Sequence, residues 1–229
     1  MHQSNRDIVR GLPLFCNIGE DNFIELITSA VLQRFPQHVS LIIEGNLPDF
    51  LHVVIDGSVE TFCTHDGHET TIDIVRPMAA FDLASVIRDD IYLSSARTLT
   101  PAQILLLPAQ SVRDAFERDS AFARTVVNEL AGHYRSVVRA LMNKKLRTGT
   151  ERLANWILRT GALQGNQRTI ELTLEKRTLA SSLGMTPENL SRSFARLSRY
   201  GVRSSAREIV IEDSFALESF AKPNALIDG

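Results

Sequence analysis

The residues best suited to chemistry lie in one segment of the chain, TPENLSRSFARLSRYG, which spans 186–201. An arginine can donate two hydrogen bonds to O6 and N7 of guanine, and a glutamate can accept one from N4 of cytosine. Glu188 and Arg192 are one helical turn apart, so both can reach a single G·C pair, with Ser191 beside the neighbouring pair. The segment therefore predicts base reading by Glu188, Ser191 and Arg192.

The same spacing also fits a plain ion pair, because a glutamate and an arginine four residues apart stabilise a helix slightly. The charge distribution favours a polyanionic partner. Residues 144–208 hold thirteen Lys and Arg against five Asp and Glu, a net charge of +8, although the whole chain carries −2. A basic segment beside an acidic one is typical of a nucleic-acid-binding domain next to another domain, and a membrane surface would also attract it.

Helical periodicity around this segment predicts the element that must hold it. Leu190, Phe194 and Leu197 follow steps of four and three, so they share a buried face. Gly184 can end the preceding helix in a left-handed conformation, and Thr186 can cap the next one. The alternating run REIVIED then predicts a strand, which gives the order of a winged helix-turn-helix. Three arginines farther along are predicted to contact phosphates: Arg196, Arg199 and Arg203.

Residues 111–146 carry an apolar heptad over about five helical turns. Its members are Ala123, Val127, Leu130, Tyr134, Val137 and Leu141. The stripe predicts a long helix that pairs with a second copy of itself, and hence a homodimer. The alternative is that the helix packs on its own β unit.

Short apolar runs between 34 and 108 alternate with turn signals such as DG, EGN and HDG. This pattern predicts antiparallel hairpins in a compact β roll or barrel. Before it, Phe23, Leu26, Ile27 and Val31 fall at helical spacing, which predicts short helices. The expected fold class is α+β: a sensor β roll over 1–110, a dimerisation helix over 111–146 and a winged helix-turn-helix over 147–229.

The composition of the chain argues against several other classes of protein. With 44% hydrophobic and 23% charged residues and no apolar run of membrane-spanning length, the 229-residue chain predicts a cytoplasmic globular protein without a membrane partner. Only Cys16 and Cys63 are present, too few for a disulfide framework or a four-cysteine iron–sulfur or zinc site. The sequence shows no nucleophile motif, metal-ligand cluster or phosphate loop, so we do not expect an enzyme.

The chain resembles the CRP/FNR superfamily of bacterial transcription regulators over nearly its whole length. The resemblance rests on the β roll, the long helix and LASSLGMTPENLSRSFARLSRYG, in which Glu188, Ser191 and Arg192 match the E-x-x-S-R motif of the FNR, FixK and DNR branches. It implies double-stranded DNA as partner, with a palindrome resembling TTGAT-N4-ATCAA. It also implies a cyclic-nucleotide-binding-like sensor, control by an effector and contact with RNA polymerase, as in an activator.

Departures from the family pattern exclude some effectors. Cyclic-nucleotide binders hold the ribose with a Glu and the phosphate with an Arg, whereas this chain has Asp82-Leu83 and Ser94-Ser95 at the corresponding places. A buried phosphate without a countercharge is costly, so cyclic AMP is not expected. Two nearby arginines are candidates to replace the missing one: Arg88 and Arg97. The oxygen-sensing branch needs several N-terminal cysteines, so an iron–sulfur cluster is not expected either.

The DNR and NnrR-type regulators, which the chain resembles in lacking both sites, respond to nitric oxide, some through haem. Haem therefore stays a candidate cofactor, with His133 as the first candidate ligand and Cys16 as a weaker one. His65 and His68 flank a turn and are expected in solvent. His52 lies in a strand, where its side chain can point either into the roll or out of it. The alternatives are a regulator that answers another ligand or none, and a protein-interaction scaffold with a vestigial DNA-binding domain.

Overall fold

The computed structural model describes residues 3–165, 168–205 and 207–228. It divides into two compact units, Met1–His133 and Tyr134–Gly229. The fold class is α+β, as the sequence predicts. Among the described residues, no helix has both the length and the apolar composition that crossing a membrane requires.

The first unit contains a double-layered β roll between helices. Its elements are α1 (Gln3–Arg10), a 3-10 turn (Pro13–Phe15), α2 (Glu20–Ser29), β1 (Val31–Phe35), β2 (Ser40–Ile42), β3 (Phe50–Asp56), β4 (Val59–His65), β5 (His68–Val75), β6 (Ala79–Phe81), α3 (Leu83–Arg88), β7 (Ser95–Thr98), β8 (Ala102–Pro108), α4 (Ala109–Arg118) and the N-terminal part of α5 (Ser120–Leu146). Two antiparallel four-stranded sheets form, in the orders β1-β8-β3-β6 and β2-β7-β4-β5. The predicted hairpins are confirmed.

Alternation along β3 divides the apolar residues between two cores. Leu51 and Val53 pack with the helices in a cluster that includes Phe15 and Phe122. Val54 points the other way, into a cluster between the two sheets. Side chains that alternate across a strand explain why one strand lines both cores.

The prediction that Val31 belongs to the same helix as Phe23, Leu26 and Ile27 is wrong. The helix stops at Ser29, Ala30 is extended, and Val31 begins β1 opposite Leu106. Its side chain is 50% exposed. Pairing of β1 with β8 prevails over the helical spacing, since a β-branched residue suits a sheet edge.

The helix predicted over 111–146 consists of two helices that meet at Asp119. One carboxylate oxygen of Asp119 accepts hydrogen bonds from the backbone N–H groups of Ala121 and Phe122, and the other accepts from Gly19 at 2.7 Å. These bonds, that from Phe122 first, lower the pKa of Asp119. Asp119 therefore caps the start of α5 and fixes it to the loop before α2.

The second unit contains the C-terminal part of α5 and a winged helix. Its further elements are α6 (Gly149–Leu163), β9 (Thr169–Glu171), α7 (Lys176–Ser182), α8 (Pro187–Leu197), a 3-10 turn (Ser198–Tyr200), β10 (Val202–Ser204), β11 (Glu208–Ile211), α9 (Ser214–Ala221) and α10 (Ala225–Asp228). The wing is a three-stranded antiparallel sheet in the order β10-β11-β9. Leu153, Ile157 and Leu179 lie at the centre of the core, each fully buried.

Candidate nucleic-acid interface

The turn before α8 has the predicted construction. Gly184 adopts φ +62° after α7, and a Cβ at that position would lie 3.5 Å from Cε of Lys144. The hydroxyl of Thr186 accepts a hydrogen bond from the backbone N–H of Asn189, and Pro187 is the first residue of α8. The cap and the proline set the helix start without an unpaired donor.

The inner face of α8 anchors it to the core. Leu190, Phe194 and Leu197 are at most 8% exposed, as the periodicity predicts. Ser193 is buried as well, and its hydroxyl lies 3.2 Å from that of Thr150 in α6. The sequence offered no signal for this bond, because its two partners are 43 residues apart.

The outer face presents the predicted base readers to solvent. Glu188, Ser191 and Arg192 are all exposed. Hydrogen bonds from its own backbone N–H and from the Thr186 hydroxyl lower the pKa of Glu188, and the charge of Arg192 adds to this. Ser191 donates its hydroxyl to the carbonyl of Pro187 at 3.0 Å, which leaves its oxygen able to accept. Among the described residues no ion pair joins Glu188 to Arg192.

A cleft of about 370 Å³ adjoins this face. It is lined by the start of α6, the turn before α8 and four residues of α8: Asn189, Arg192, Ser193 and Arg196. A third arginine in the lining, Arg152, donates to the carbonyls of Leu183 and Arg147, each at 2.8 Å. Arg152 therefore holds the helix-turn-helix together, whereas Arg192 and Arg196 keep exposed guanidinium groups.

The three predicted phosphate contacts differ in availability. Arg196 is exposed beside the cleft, and Arg199 is exposed in the 3-10 turn after α8. Arg203 in β10 pairs with Glu212 at 2.9 Å, although its side chain is 76% exposed. A phosphate would compete with that carboxylate for Arg203.

Most of the apolar stripe of α5 is exposed, and one residue of it packs on the core of the first unit. Val127, Tyr134, Val137 and Leu141 are between 50% and 71% exposed. Leu130 instead packs against the core of the first unit. The alternative of packing on the β unit thus accounts for Leu130. Ala123 is half-buried, and the other four side chains of the stripe are in solvent.

Inside the roll, the position that resembles a nucleotide site holds an isolated carboxylate. Asp82 adopts φ +54°, and its Oδ2 is buried without a hydrogen-bond partner among the described residues. Burial raises the pKa of Asp82 to about 6, against a smaller opposing effect of His133. Ser94, which stands where an arginine would hold a phosphate, is 9% exposed.

The two arginines considered as replacements are both engaged. Arg97 donates to Glu60 at 2.7 Å and also binds Glu69, while its guanidinium stacks on Phe62. Arg88 is largely exposed and lies 3.8 Å from Asp90. The buried Glu60 was missed in the sequence, where a glutamate inside an apolar strand was the available signal.

The histidines differ in how far they are buried. His65 and His68 pair across the tip of the β4–β5 hairpin in solvent, as expected. His52 points into the roll, its ring 5.3 Å from that of Phe81, and burial lowers its pKa to about 4. His133 is exposed on α5 and close enough to Asp82 to affect its pKa. Cys16 is exposed.

No set of three or more His, Cys, Asp or Glu residues in the described ranges is arranged to hold a metal ion.

Comparison with known domains accounts for both units. Residues 32–119 match the cyclic nucleotide-binding domain, and residues 151–220 match the Crp-like helix-turn-helix domain. The chain therefore contains a domain of the cyclic nucleotide-binding family followed by a Crp-like helix-turn-helix domain. The helix-turn-helix is a DNA-binding domain type, and the cyclic nucleotide-binding family is an effector-binding domain type. No curated protein matches the chain significantly.

Three solved structures have a similar fold. A candidate cAMP-binding regulatory protein from Silicibacter pomeroyi DSS-3 is 28% identical with TM-score 0.62, covering 97% of this chain and 100% of its own. FixK2 from Bradyrhizobium japonicum is 20% identical with TM-score 0.73, covering 86% and 99%. DNR from Pseudomonas aeruginosa is 21% identical with TM-score 0.52, covering 96% and 99%.

Proposed function

We propose that the protein is a homodimer that recognises a palindrome resembling TTGAT-N4-ATCAA through the exposed face of α8. The observation that carries the proposal is an ionised Glu188 one turn before an Arg192 with no ion-pair partner in the described ranges. Arg192 donates to O6 and N7 of guanine, Glu188 accepts from N4 of the paired cytosine, and Ser191 contacts a neighbouring thymine.

The dimer follows from the exposed part of the α5 stripe. Four apolar side chains in solvent, at spacings of seven, three and four residues, match the seam of a two-helix coiled coil. We assign the interface to Val127, Tyr134, Val137 and Leu141, with Leu130 shared between the seam and the sensor core. Two recognition helices about one duplex turn apart would then meet the two half-sites.

Backbone contacts supply the sequence-independent part of binding. Arg196 and Arg199 are the proposed phosphate ligands, since both are exposed without an ion-pair partner among the described residues. Arg203 contributes once its pair with Glu212 opens.

The effector of the first unit is a separate proposal. Cyclic AMP does not fit, because the site offers an uncompensated carboxylate at Asp82 and one candidate arginine, Arg97, is already bound to Glu60 and Glu69. Haem remains our candidate. His133, which is exposed on α5, would hold the iron. Bound haem would supply an iron that binds nitric oxide.

The DNA proposal is tested by titrating two duplexes, the palindrome and a scrambled one, with Arg192→Ala. Losing the guanine contact should cost about 1 to 3 kcal/mol on the palindrome and leave scrambled DNA nearly unaffected. Arg124→Ala, which removes an exposed arginine from the first unit, is the control and should change neither affinity. Equal losses on both duplexes would show that Arg192 does not read bases. No palindrome preference in any state would favour the protein-interaction scaffold.

The haem proposal is tested by an anaerobic haemin titration followed by absorption, before and after nitric oxide. A saturable Soret band at one haem per chain that shifts with nitric oxide supports it, and His133→Ala should then alter the band. The absence of a specific band in the wild type rejects haem and favours another ligand, or none. Activation and contact with RNA polymerase are tested separately by transcription from a promoter that carries the palindrome.

A further inference from the structure

The junction between α5 and α6 is short and internally braced. The first helix ends at Leu146 and the second begins at Gly149, so only two residues separate them. The side chain of the first of these, Arg147, is only 7% exposed. An arginine is rarely buried at a linker unless its charge is paired.

The partner of Arg147 comes from the far end of the chain. Its Nη1 and Nη2 donate to Oδ1 and Oδ2 of Asp228, each at 2.6 Å, in a two-pronged ion pair. The hydrogen bond from Arg147 is the first cause of a lowered pKa at Asp228. The carboxylate also accepts from the backbone N–H of Asn224 at 2.8 Å, which fixes its orientation.

The segment that carries Asp228 is anchored on the core of the winged helix. In α9, Leu217 and Ala221 are at most 2% exposed and belong to that core. The side chain of Asn155 in α6 donates to the carbonyl of Ala221 at 2.7 Å. Asp228 is therefore held relative to α6.

On its other side, Arg147 holds α5. Its Nη1 donates to Oδ1 of Asn143, in the last turn of that helix, at 3.2 Å. One guanidinium thus connects the end of the proposed dimer helix to a carboxylate that is fixed to the winged helix. The charge-assisted, two-pronged geometry makes the connection directional.

We propose that Arg147 and Asp228 are positioning residues that set the half-site spacing which the dimer accepts. The inference rests on the proposed palindrome function. In a dimer joined through α5, the angle between α5 and α6 determines how far apart the two α8 helices lie. Each base pair added between half-sites moves them about 3.4 Å apart and turns them by about a tenth of a duplex turn.

The experiment measures the Kd of the full-length protein for palindromes with spacers of three, four, five and six base pairs. The wild type, Asp228→Asn, Arg147→Gln and the double variant are compared. We expect the wild type to prefer one spacer. In each variant, the ratio of Kd values between the other spacers and the preferred one should be about fivefold smaller. The double variant should lose no more than either single one, because all three break the same pair.

Two further variants separate positioning from folding. Asn143→Ala leaves the ion pair intact and removes only the bond to α5, so it should also weaken the spacing preference, with thermal stability retained. Glu25→Gln breaks an exposed ion pair with Arg118 in the first unit and should leave the preference unchanged.

The outcomes are distinct. A wild type that prefers one spacer, with Asp228→Asn and Asn143→Ala showing the same preference, overturns the positioning role and leaves the palindrome proposal standing. A wild type that binds no palindrome above scrambled DNA overturns the palindrome proposal, and the positioning role falls with it.

Discussion

The exposed face of α8 and the interior of the β roll hold polar side chains under opposite conditions. On α8, Glu188 and Arg192 are in solvent, and hydrogen bonds to Glu188 lower its pKa. In the roll, His52 is buried and Asp82 half-buried, and each has a buried side-chain atom that lacks a hydrogen-bond partner among the described residues. The partner of the α8 face can be inferred from the donors and acceptors that it exposes. The interior of the roll instead contains polar atoms that have no hydrogen-bond partner among the described residues.

The difference has an energetic consequence. An exposed reader costs the fold almost nothing, so its removal should affect binding alone. A buried and unpaired carboxyl costs stability in the absence of a ligand, so its removal should affect the fold. The following predictions test this contrast, from the largest effect to the smallest.

The largest effect is expected at Gly57, in the turn between β3 and β4. This glycine has φ +83°, and an added Cβ would lie 2.7 Å from Cα of Ala102. Gly57→Ala should destabilise the roll by about 3 kcal/mol, measured by urea unfolding. Gly67→Ala, at φ +74° with no atom within 4 Å of the added Cβ, is the matched control and should cost about 1 kcal/mol. Equal costs would show that backbone strain, not packing, decides both.

A medium effect is expected for Asp82→Asn, and it depends on pH. Burial raises the pKa of Asp82 from 3.8 to about 6, so folding favours its protonated form. The wild type therefore keeps its stability below about pH 4 and loses some of it as pH rises through 6. Asp82→Asn should be more stable by about 2 kcal/mol at pH 8 and equal at pH 4, by thermal unfolding.

The same variant sharpens the contrast between the two regions. Asp82→Asn should retain the DNA sequence preference of the wild type, because no part of α8 changes. A pH-independent difference in stability would contradict the buried, unpaired state of Asp82.

The smallest effect is expected for Arg199→Ala. As a phosphate ligand without base contacts, Arg199 should contribute equally to specific and scrambled DNA, at about 1 kcal/mol or less. The slope of log Kd against log salt should fall by about one. A loss confined to the palindrome would assign Arg199 to base reading instead.

Local patterns in the sequence predicted much of the second unit. Leu190, Phe194 and Leu197 are buried where helical periodicity places them, and Thr186 caps the helix they belong to. These features depend on residues within one or two turns of each other. Such short-range geometry can be read from the order of residue types.

The same reasoning failed where a strand or side chain distant in the sequence determines the local conformation or packing. Val31 continues a helical spacing, but pairing with Leu106 makes it the start of a strand. The hydrogen bond from Gly19 to Asp119 joins residues 100 apart, so no local pattern could show it. A heptad pattern also cannot show that Leu130 packs on its own sensor core.

The sequence by itself determined the helix-turn-helix, the exposure of Glu188 and Arg192 and the alternating strands, because each follows from periodicity and caps within a short segment. The tertiary structure alone decided that Arg97 is occupied by Glu60 and Glu69 and that Arg147 is held by Asp228. Which carboxylate an arginine meets depends on segments up to 81 residues away, and the folded core brings those together.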